Sequence, residues 1–188
     1  EGGLDVGVFD HIRTALEHML RNAIDHGIDT PEMRAKRGKS ETGKVDLTIK
    51  RQGSEFLIQL LDDGNGLDPD KLRDKARAQG ILGSNQSLSD ESALRLIFES
   101  GLSTADSVSD ISGRGVGMDA VHQSITQVGG RIDVQSKVGF FTQFDIRVPA
   151  SIMVNGALLV NIGEEQVAVP LNSLDGSDFC HRDEALRQ

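Results

Sequence analysis

Residues 9–28, FDHIRTALEHMLRNAIDHGI, hold the longest helical pattern in the chain, and the pattern has two faces. At about 100° per residue, Ile12, Leu16, Met19, Leu20, Ala23 and Ile24 fall on one side. His18, Asn22 and Asp25 gather on another, flanked by Arg21 and His26. Gly27 supplies a helix stop. An apolar stripe of this width must be buried against a sheet or other helices. The polar cluster beside it then lies at the edge of the core.

Downstream patterns supply the sheet. KVDLTIK (44–50) alternates strictly, with Val45, Leu47 and Ile49 facing one way. EFLIQLLDD (55–63) is more continuously apolar, which predicts a central strand, and Gln52-Gly53-Ser54 predicts a hairpin turn between the two. A short helix is expected at 31–37, and another at 69–79 with Asp68 as cap and Pro69 at its first position. SDESALRLIFESG (89–101) reads as a helix with an acidic first turn that ends at Gly101. MDAVHQSITQVGG (118–130) reads as a helix with a glycine stop. RIDVQSK (131–137) and TQFDIRV (142–148) predict a second hairpin. Beyond a boundary expected near 149–155, GALLVNIG and QVAVPL predict two more strands with a turn at Glu164-Glu165. This order predicts an α+β fold, a mixed and largely antiparallel sheet with helices on one face.

Composition excludes several classes. Net charge is −9, and no Lys/Arg block forms the basic face of a nucleic-acid binder. An anion site must therefore be local, built from helix N-termini, a few arginines or a metal ion. No apolar run approaches the roughly 20 residues of a membrane span. Glu1 to Phe9 lacks the features of a signal peptide, and the absence of an initial Met suggests a fragment of something longer. Cys180, the single cysteine, excludes an internal disulfide framework and a multi-cysteine zinc site.

Gly38-Lys39-Ser40 resembles the end of a phosphate loop, but Met33 stands where the first glycine is required and no buried strand precedes it. Gly113-Arg114-Gly115-Val116-Gly117 fails as a dinucleotide fingerprint because Met118 takes the sixth position. Those alternating glycines do lead straight into a helix, whose free N–H groups suit a phosphate chain, although an ordinary flexible loop before a helix has the same composition. DDGNGLD (62–68) follows the predicted central strand. Asp62 would end that strand facing a pocket, and Gly64 and Gly66 would leave room for a flat ligand; a plain Asp/Gly turn is the simpler alternative. The calcium-loop spacing is missing. The i+4 partner of His18 is Asn22, which argues against zinc. An Asn oxygen suits magnesium, which takes one or two protein oxygens plus substrate phosphates. Read together, these features describe a magnesium-nucleotide site: helix for metal and phosphate, Asp62 for a base, the 113–117 loop as cover.

The order of these motifs resembles the ATP-binding domain of the GHKL superfamily, and within it the chemotaxis-type histidine kinases of the CheA family. The N box is His18-Met-Leu-Arg-Asn-Ala-Ile-Asp-His-Gly-Ile28, the first glycine box is 62–68, the F-box region is Phe98-Glu-Ser-Gly-Leu-Ser-Thr-Ala105, and the second glycine box is 112–121. The resemblance implies a Bergerat-type α/β sandwich over roughly 4–149. ALLVNIGEEQVAVPLNSL (157–174) resembles the first strands of a CheW-like regulatory domain, so 150–188 is expected to be a linker and the incomplete start of that domain.

The resemblance also implies roles. Asn22 would coordinate Mg²⁺; Arg21 and His26 would contact phosphates; Asp62 would accept from the adenine amino group with Gly66 beside the ring. Gly113, Gly115 and Gly117 would form the lid and cradle, and Thr142 would match the threonine of the closing glycine box. Further ATP contacts are expected at Asp25, Gly64, Ser103, Thr104, Arg114, Val116 and Met118. The closing box departs from the family pattern at Gly139-Phe-Phe-Thr-Gln-Phe144, where Phe141 replaces a glycine and is expected to narrow the adenine end or shift the turn. The F box has Ser100 for its usual Pro and Leu102 for its second Phe.

In related ATPases such as gyrase and MutL, a Glu four residues before the metal-binding Asn activates water. Here that position is His18, and Glu17 is rotated about 100° away. This favours phosphoryl transfer to a protein histidine, with His18 as a base or as the group that orients the acceptor. The runner-up readings are a nucleotide-binding regulatory module and a GHKL-type ATPase. HIRTAL (11–16) superficially resembles a phosphoacceptor box, but His11 lies only eleven residues from Asn22, whereas that box belongs to a separate dimerisation domain. The expected partners are a phosphotransfer domain and a dimerisation domain outside this chain. A CheW-like adaptor, chemoreceptors and a response regulator would be reached through the full-length protein, in the cytoplasm. Neither nucleic acid nor membrane insertion is expected, and the fragment is expected to be monomeric.

Overall fold

In the computed structural model, residues 6–83, 86–102, 117–150, 157–162 and 165–170 are described. Helix α1 spans Val6–Asn22 and runs into a π-helical turn at Ala23–Gly27. Val8, Ile12, Ala15 and Met19 are its buried residues, spaced three or four apart as the stripe requires. The stripe does not continue through Ile24, which is 63% exposed. The π turn carries more residues per turn than an α-helix, so the angular step that places Ile12 and Met19 correctly fails just after Asn22.

A short helix α2, Pro31–Lys36, is capped by the Thr30 hydroxyl, which accepts from the Met33 amide. Strands β1, Val45–Gln52, and β2, Glu55–Asp62, form a hairpin around Gly53, whose φ of 63° suits a glycine in a tight turn. Helix α3, Pro69–Ala78, opens as expected, with Asp68 accepting from the amides of Asp70 and Lys71. Helix α4 is only Asp90–Arg95, followed by a 3₁₀ turn at Leu96–Phe98. The helix expected to reach Gly101 therefore tightens and ends earlier. Helix α5, Met118–Gln127, and strands β3, Arg131–Lys137, and β4, Phe141–Pro149, complete the layer.

The sheet order is β1-β2-β4-β3, and every described pairing is antiparallel. Strand β2 is central, as its continuous apolar run predicts. Its register with β4 sets Ile58 opposite Ile146, Leu60 opposite Phe144 and Asp62 opposite Thr142. Ile58, Leu60 and Ile146 pack against Val8, Ile12, Ala15 and Met19 of α1 and Val121 and Ile125 of α5. A second cluster, around Leu72 and Ala76 of α3 and Leu94, Leu96 and Ile97, meets Val134 of β3. Phe98 and Phe144 touch both clusters, and their rings meet edge to face at 6.4 Å. Each fully buried aliphatic side chain in these clusters contributes roughly 1.5–3 kcal/mol over leaving it in water. On edge strand β1, Leu47 and Ile49 are 44% and 57% exposed, so the alternation is real but its apolar face extends past the helices.

The chain divides into two compact units, Glu1–Ile152 and Met153–Gln188. The second contains the antiparallel hairpin β5, Ala157–Ile162, and β6, Glu165–Pro170. Ile162 pairs with Glu165, so Glu165 belongs to the strand, and Glu164, the other residue of the expected turn, lies outside the described residues.

Candidate functional site

The end of α1 and the end of β2 meet at the rim of the core. A Cβ built on Gly27, at the close of the π turn, would lie 3.4 Å from Asp62 Oδ1 and 3.7 Å from the Asn22 carbonyl oxygen. Gly64 is packed tighter still, since a Cβ there would overlap the Gly27 carbonyl. The two turns are then tied by hydrogen bonds: Asn65 N donates to Gly27 O at 2.8 Å, and Asn65 Nδ2 to His26 O at 3.3 Å. Gly66 has φ of 70° and sits against the Lys137 carbonyl, and the Gly139 amide donates to Asn65 O at 2.6 Å. The glycines of DDGNG are thus required by contacts as well as by turn geometry.

Asp62 is 4% exposed and Thr142, its cross-strand partner, 6%. Asp62 Oδ1 accepts from the Gly64 amide at 3.0 Å. Burial pushes the Asp62 carboxyl above the ordinary carboxylate value, against the pull of the Gly64 amide and the Lys39 charge. A buried acceptor at the end of a central strand is suited to reading a donor on a flat ligand. Phe141 opens β4 opposite Lys137 and is half-buried, and strand alternation sets its side chain on the face opposite that of Thr142. Phe140 is exposed in the β3–β4 turn, with Lys137 Nζ 4.3 Å from its ring centroid.

The polar face of α1 meets the start of α5. Asn22 Nδ2 donates to Met118 Sδ at 3.4 Å, which leaves the amide oxygen as the end of the side chain able to act as a ligand. His18 is half-buried, and burial pushes its pKa down, helped by the Arg21 charge and opposed by Asp119 on α5. This shift favours the neutral imidazole. Glu17 faces solvent and accepts from Arg13 Nη1 at 3.2 Å. Arg21, Asp25 and His26 are exposed on the same end of the helix. Gly117 precedes the first turn of α5, next to Met118. Ser103, Thr104, Gly113, Arg114, Gly115 and Val116 lie outside the described residues. Among the described residues, no group of three or more His, Cys, Asp or Glu side chains forms a metal cage. The oxygen donor offered by Asn22 fits a hard cation carried in by a phosphate ligand better than a resident one.

Three residues that the sequence analysis did not assign to the site hold it in shape. Arg34 on α2 is fully buried and donates to Asp63 Oδ1 at 2.9 Å, Asp63 Oδ2 at 2.7 Å, Ser40 O at 2.6 Å and Thr42 O at 3.2 Å. Asp63 is itself shifted: burial pulls its carboxyl up, but hydrogen bonds from Arg34 and the Lys44 amide outweigh this and hold it below the ordinary value. Lys39, from the rejected phosphate-loop motif, donates to the carbonyls of Asp63, Gly64 and Phe140. Nothing periodic marks Arg34 and Lys39 in TPEMRAKRGKSETG (30–43); the only signal is a doubled Asp at 62–63, where one carboxylate is left over for an internal partner.

Residues 7–152 match the family of histidine kinase-, DNA gyrase B- and HSP90-like ATPases. The chain is 43% identical over 171 residues to the chemotaxis protein CheA of Rhizobium meliloti, covering 91% of this chain and 23% of that protein. It is 42% identical over 176 residues to the sensor histidine kinase CheAY of Helicobacter pylori, covering 93% and 22%. It is 39% identical over 189 residues to CheA of Bacillus subtilis, covering 100% and 28%. The chain thus spans about a quarter of the length of these curated relatives.

Proposed function

Since the chain belongs to the histidine kinase-, DNA gyrase B- and HSP90-like ATPase family, in its CheA-type branch, we propose that it binds Mg-ATP and transfers the γ-phosphoryl group to a histidine on a separate phosphotransfer domain. The observation that carries this reading is the junction at Gly27. There, one glycine separates the buried Asp62 carboxylate from the end of the helix that bears Asn22. Asp62, with Gly66 and Thr142, receives the adenine; its buried acceptor takes the exocyclic amine. Asn22 holds the magnesium ion through Oδ1, and Arg21, Asp25 and His26 face the phosphates. The N-terminus of α5, from Gly117 and Met118, adds free amides and the positive end of a helix dipole. Ser103, Thr104, Gly113, Arg114, Gly115 and Val116 complete the nucleotide contacts.

A bound Mg²⁺ would neutralise phosphate charge during an in-line transfer. The protein's share of the chemistry is positioning, together with a neutral His18 that accepts the proton or orients the acceptor imidazole. The absence of a carboxylate at position 18, with Glu17 engaged by Arg13 on the solvent side, favours transfer over hydrolysis. The relatives are named for chemotaxis, and we place the chain in a chemotaxis-like two-component pathway of the cytoplasm. Its adaptor, receptors and response regulator would be reached through the full-length protein. Residues 1–149 are the catalytic domain, and the β5–β6 hairpin opens a CheW-like domain.

The test is calorimetry with Mg-ATP followed by phosphate transfer to a supplied phosphotransfer domain. Binding with transfer, both lost in Asn22→Ala, is the expected result. Binding with release of free phosphate alone would make the chain an ATPase. No binding, or an Asn22→Ala variant equal to wild type, would remove the site.

A further inference from the structure

We propose that Lys39 is a positioning residue for base recognition: by holding the carbonyls that flank Asp62 and Thr142, it fixes how the Asp62 carboxylate is presented to a donor on the base. The inference rests on the reading of Asp62 as the base acceptor. Lys39 Nζ lies 2.6 Å from Asp63 O, 2.7 Å from Gly64 O and 3.0 Å from Phe140 O. An ammonium has three donors and no acceptor, so these three carbonyls match its full capacity. They come from two separate connections. Asp63 and Gly64 immediately follow Asp62, and Phe140 lies two residues before Thr142, the residue opposite Asp62 in the sheet.

The decisive geometry is within one peptide unit. The carbonyl of Asp63 and the amide of Gly64 belong to the same planar group. Lys39 Nζ at 2.6 Å, with Arg34 Nη1 behind it at 3.1 Å, holds the oxygen end, and the N–H end donates to Asp62 Oδ1 at 3.0 Å. Fixing the oxygen fixes the direction of the N–H, and a cation on the carbonyl polarises the unit and strengthens its donation. A surface lysine would swing too freely to do this. Lys39 is anchored at its own backbone, whose amide donates to Arg34 O at 3.0 Å, while Arg34 Nε holds the next carbonyl, Ser40 O. The charged groups acting on Asp62 are Lys39 and Asp63, and Lys39 opposes both burial and its acidic neighbour.

The experiment compares ATP with inosine triphosphate, whose 6-oxo group has no amine to donate, in titrations of the 188-residue chain. A site built to accept a hydrogen bond discriminates strongly against a ligand that lacks the donor. Wild type is expected to prefer ATP, and Asp62→Asn to lose the preference. Lys39→Met should cut the ATP preference about tenfold while changing inosine triphosphate affinity by less than about twofold. If Lys39→Met fails to fold, Lys39→Gln reads the same ratio. A variant that weakens both nucleotides alike, or keeps the wild-type ratio, makes Lys39 merely structural and overturns the inference while Asp62 keeps its role. A wild type that binds the two equally overturns the Asp62 reading and this inference with it.

Discussion

Asp62 on β2 and Thr142 on β4 stand directly opposite each other, and both are closed off from water. The carboxylate is thus kept where its charge is disfavoured, and its pKa is raised by burial. A raised folded pKa means that Asp62 supports folding fully below its ordinary value of 3.8. That support is lost as pH rises through the folded value. Asp62→Asn should therefore raise the melting temperature at pH 7 by roughly 2–5 °C, with the gain vanishing below about pH 3.8, and should weaken ATP binding to the level of inosine triphosphate. Calorimetric scans at both pH values check this; a lower melting temperature at pH 7 would contradict it.

Asp63 is shifted the other way, and so is its linkage. Held below its ordinary value by Arg34, it contributes stability that is present above that value and is lost as pH falls through the folded pKa. Arg34→Met takes the guanidinium from the Asp63 carboxylate, which keeps only the Lys44 amide, and leaves the Ser40 and Thr42 carbonyls without that donor. It should lower the melting temperature at pH 7 by roughly 10 °C. Arg131→Met breaks only the exposed pair with Glu55 and should cost no more than about 2 °C. Equal effects for the two variants would count against a buried brace.

Gly64→Ala places a methyl group on the Gly27 carbonyl. Neither partner is a flexible side chain, so the two turns must move apart, at about 1–3 kcal/mol. ATP affinity should fall even in the fraction that remains folded. Titration below the unfolding transition separates the two effects.

His18→Glu puts a carboxylate where related ATPases carry one. Release of free phosphate should rise by about tenfold or more, with transfer to a phosphotransfer domain falling. In the unaltered chain, burial and Arg21 keep the imidazole neutral below its ordinary value of 6.5, so the acid limb of transfer should lie below that pH. A radiolabelled phosphate assay across pH 5–8 reads both.

Much of this was legible because periodicity reports burial. The α1 stripe, the β2 run and the Asp68-Pro69 helix start each follow from spacing or capping chemistry. The reading lost its phase at Ile24, where a π turn breaks the angular step, and at Leu47 and Ile49, where an alternating strand lies beyond the reach of the helices. Arg34 and Lys39 escaped for a different reason. Charged residues in a polar loop are ordinarily solvated, and only the fold reveals that their partners are one acidic side chain and a set of main-chain carbonyls. The Gly38-Lys39-Ser40 motif lacks the first glycine of a phosphate loop, yet its lysine holds the backbone beside the candidate base pocket.

The contact between Gly27 and Gly64 turns the first domain into a gauge. Two glycine turns, one closing the helix of Asn22 and the other following Asp62, are interlocked so tightly that neither can slide without the other. The span from Asn22, the proposed metal holder, to Asp62, the proposed base acceptor, is thereby set by the folded backbone. Molecules with a longer or shorter bridge between ring and phosphates would be rejected by length alone, whatever their functional groups.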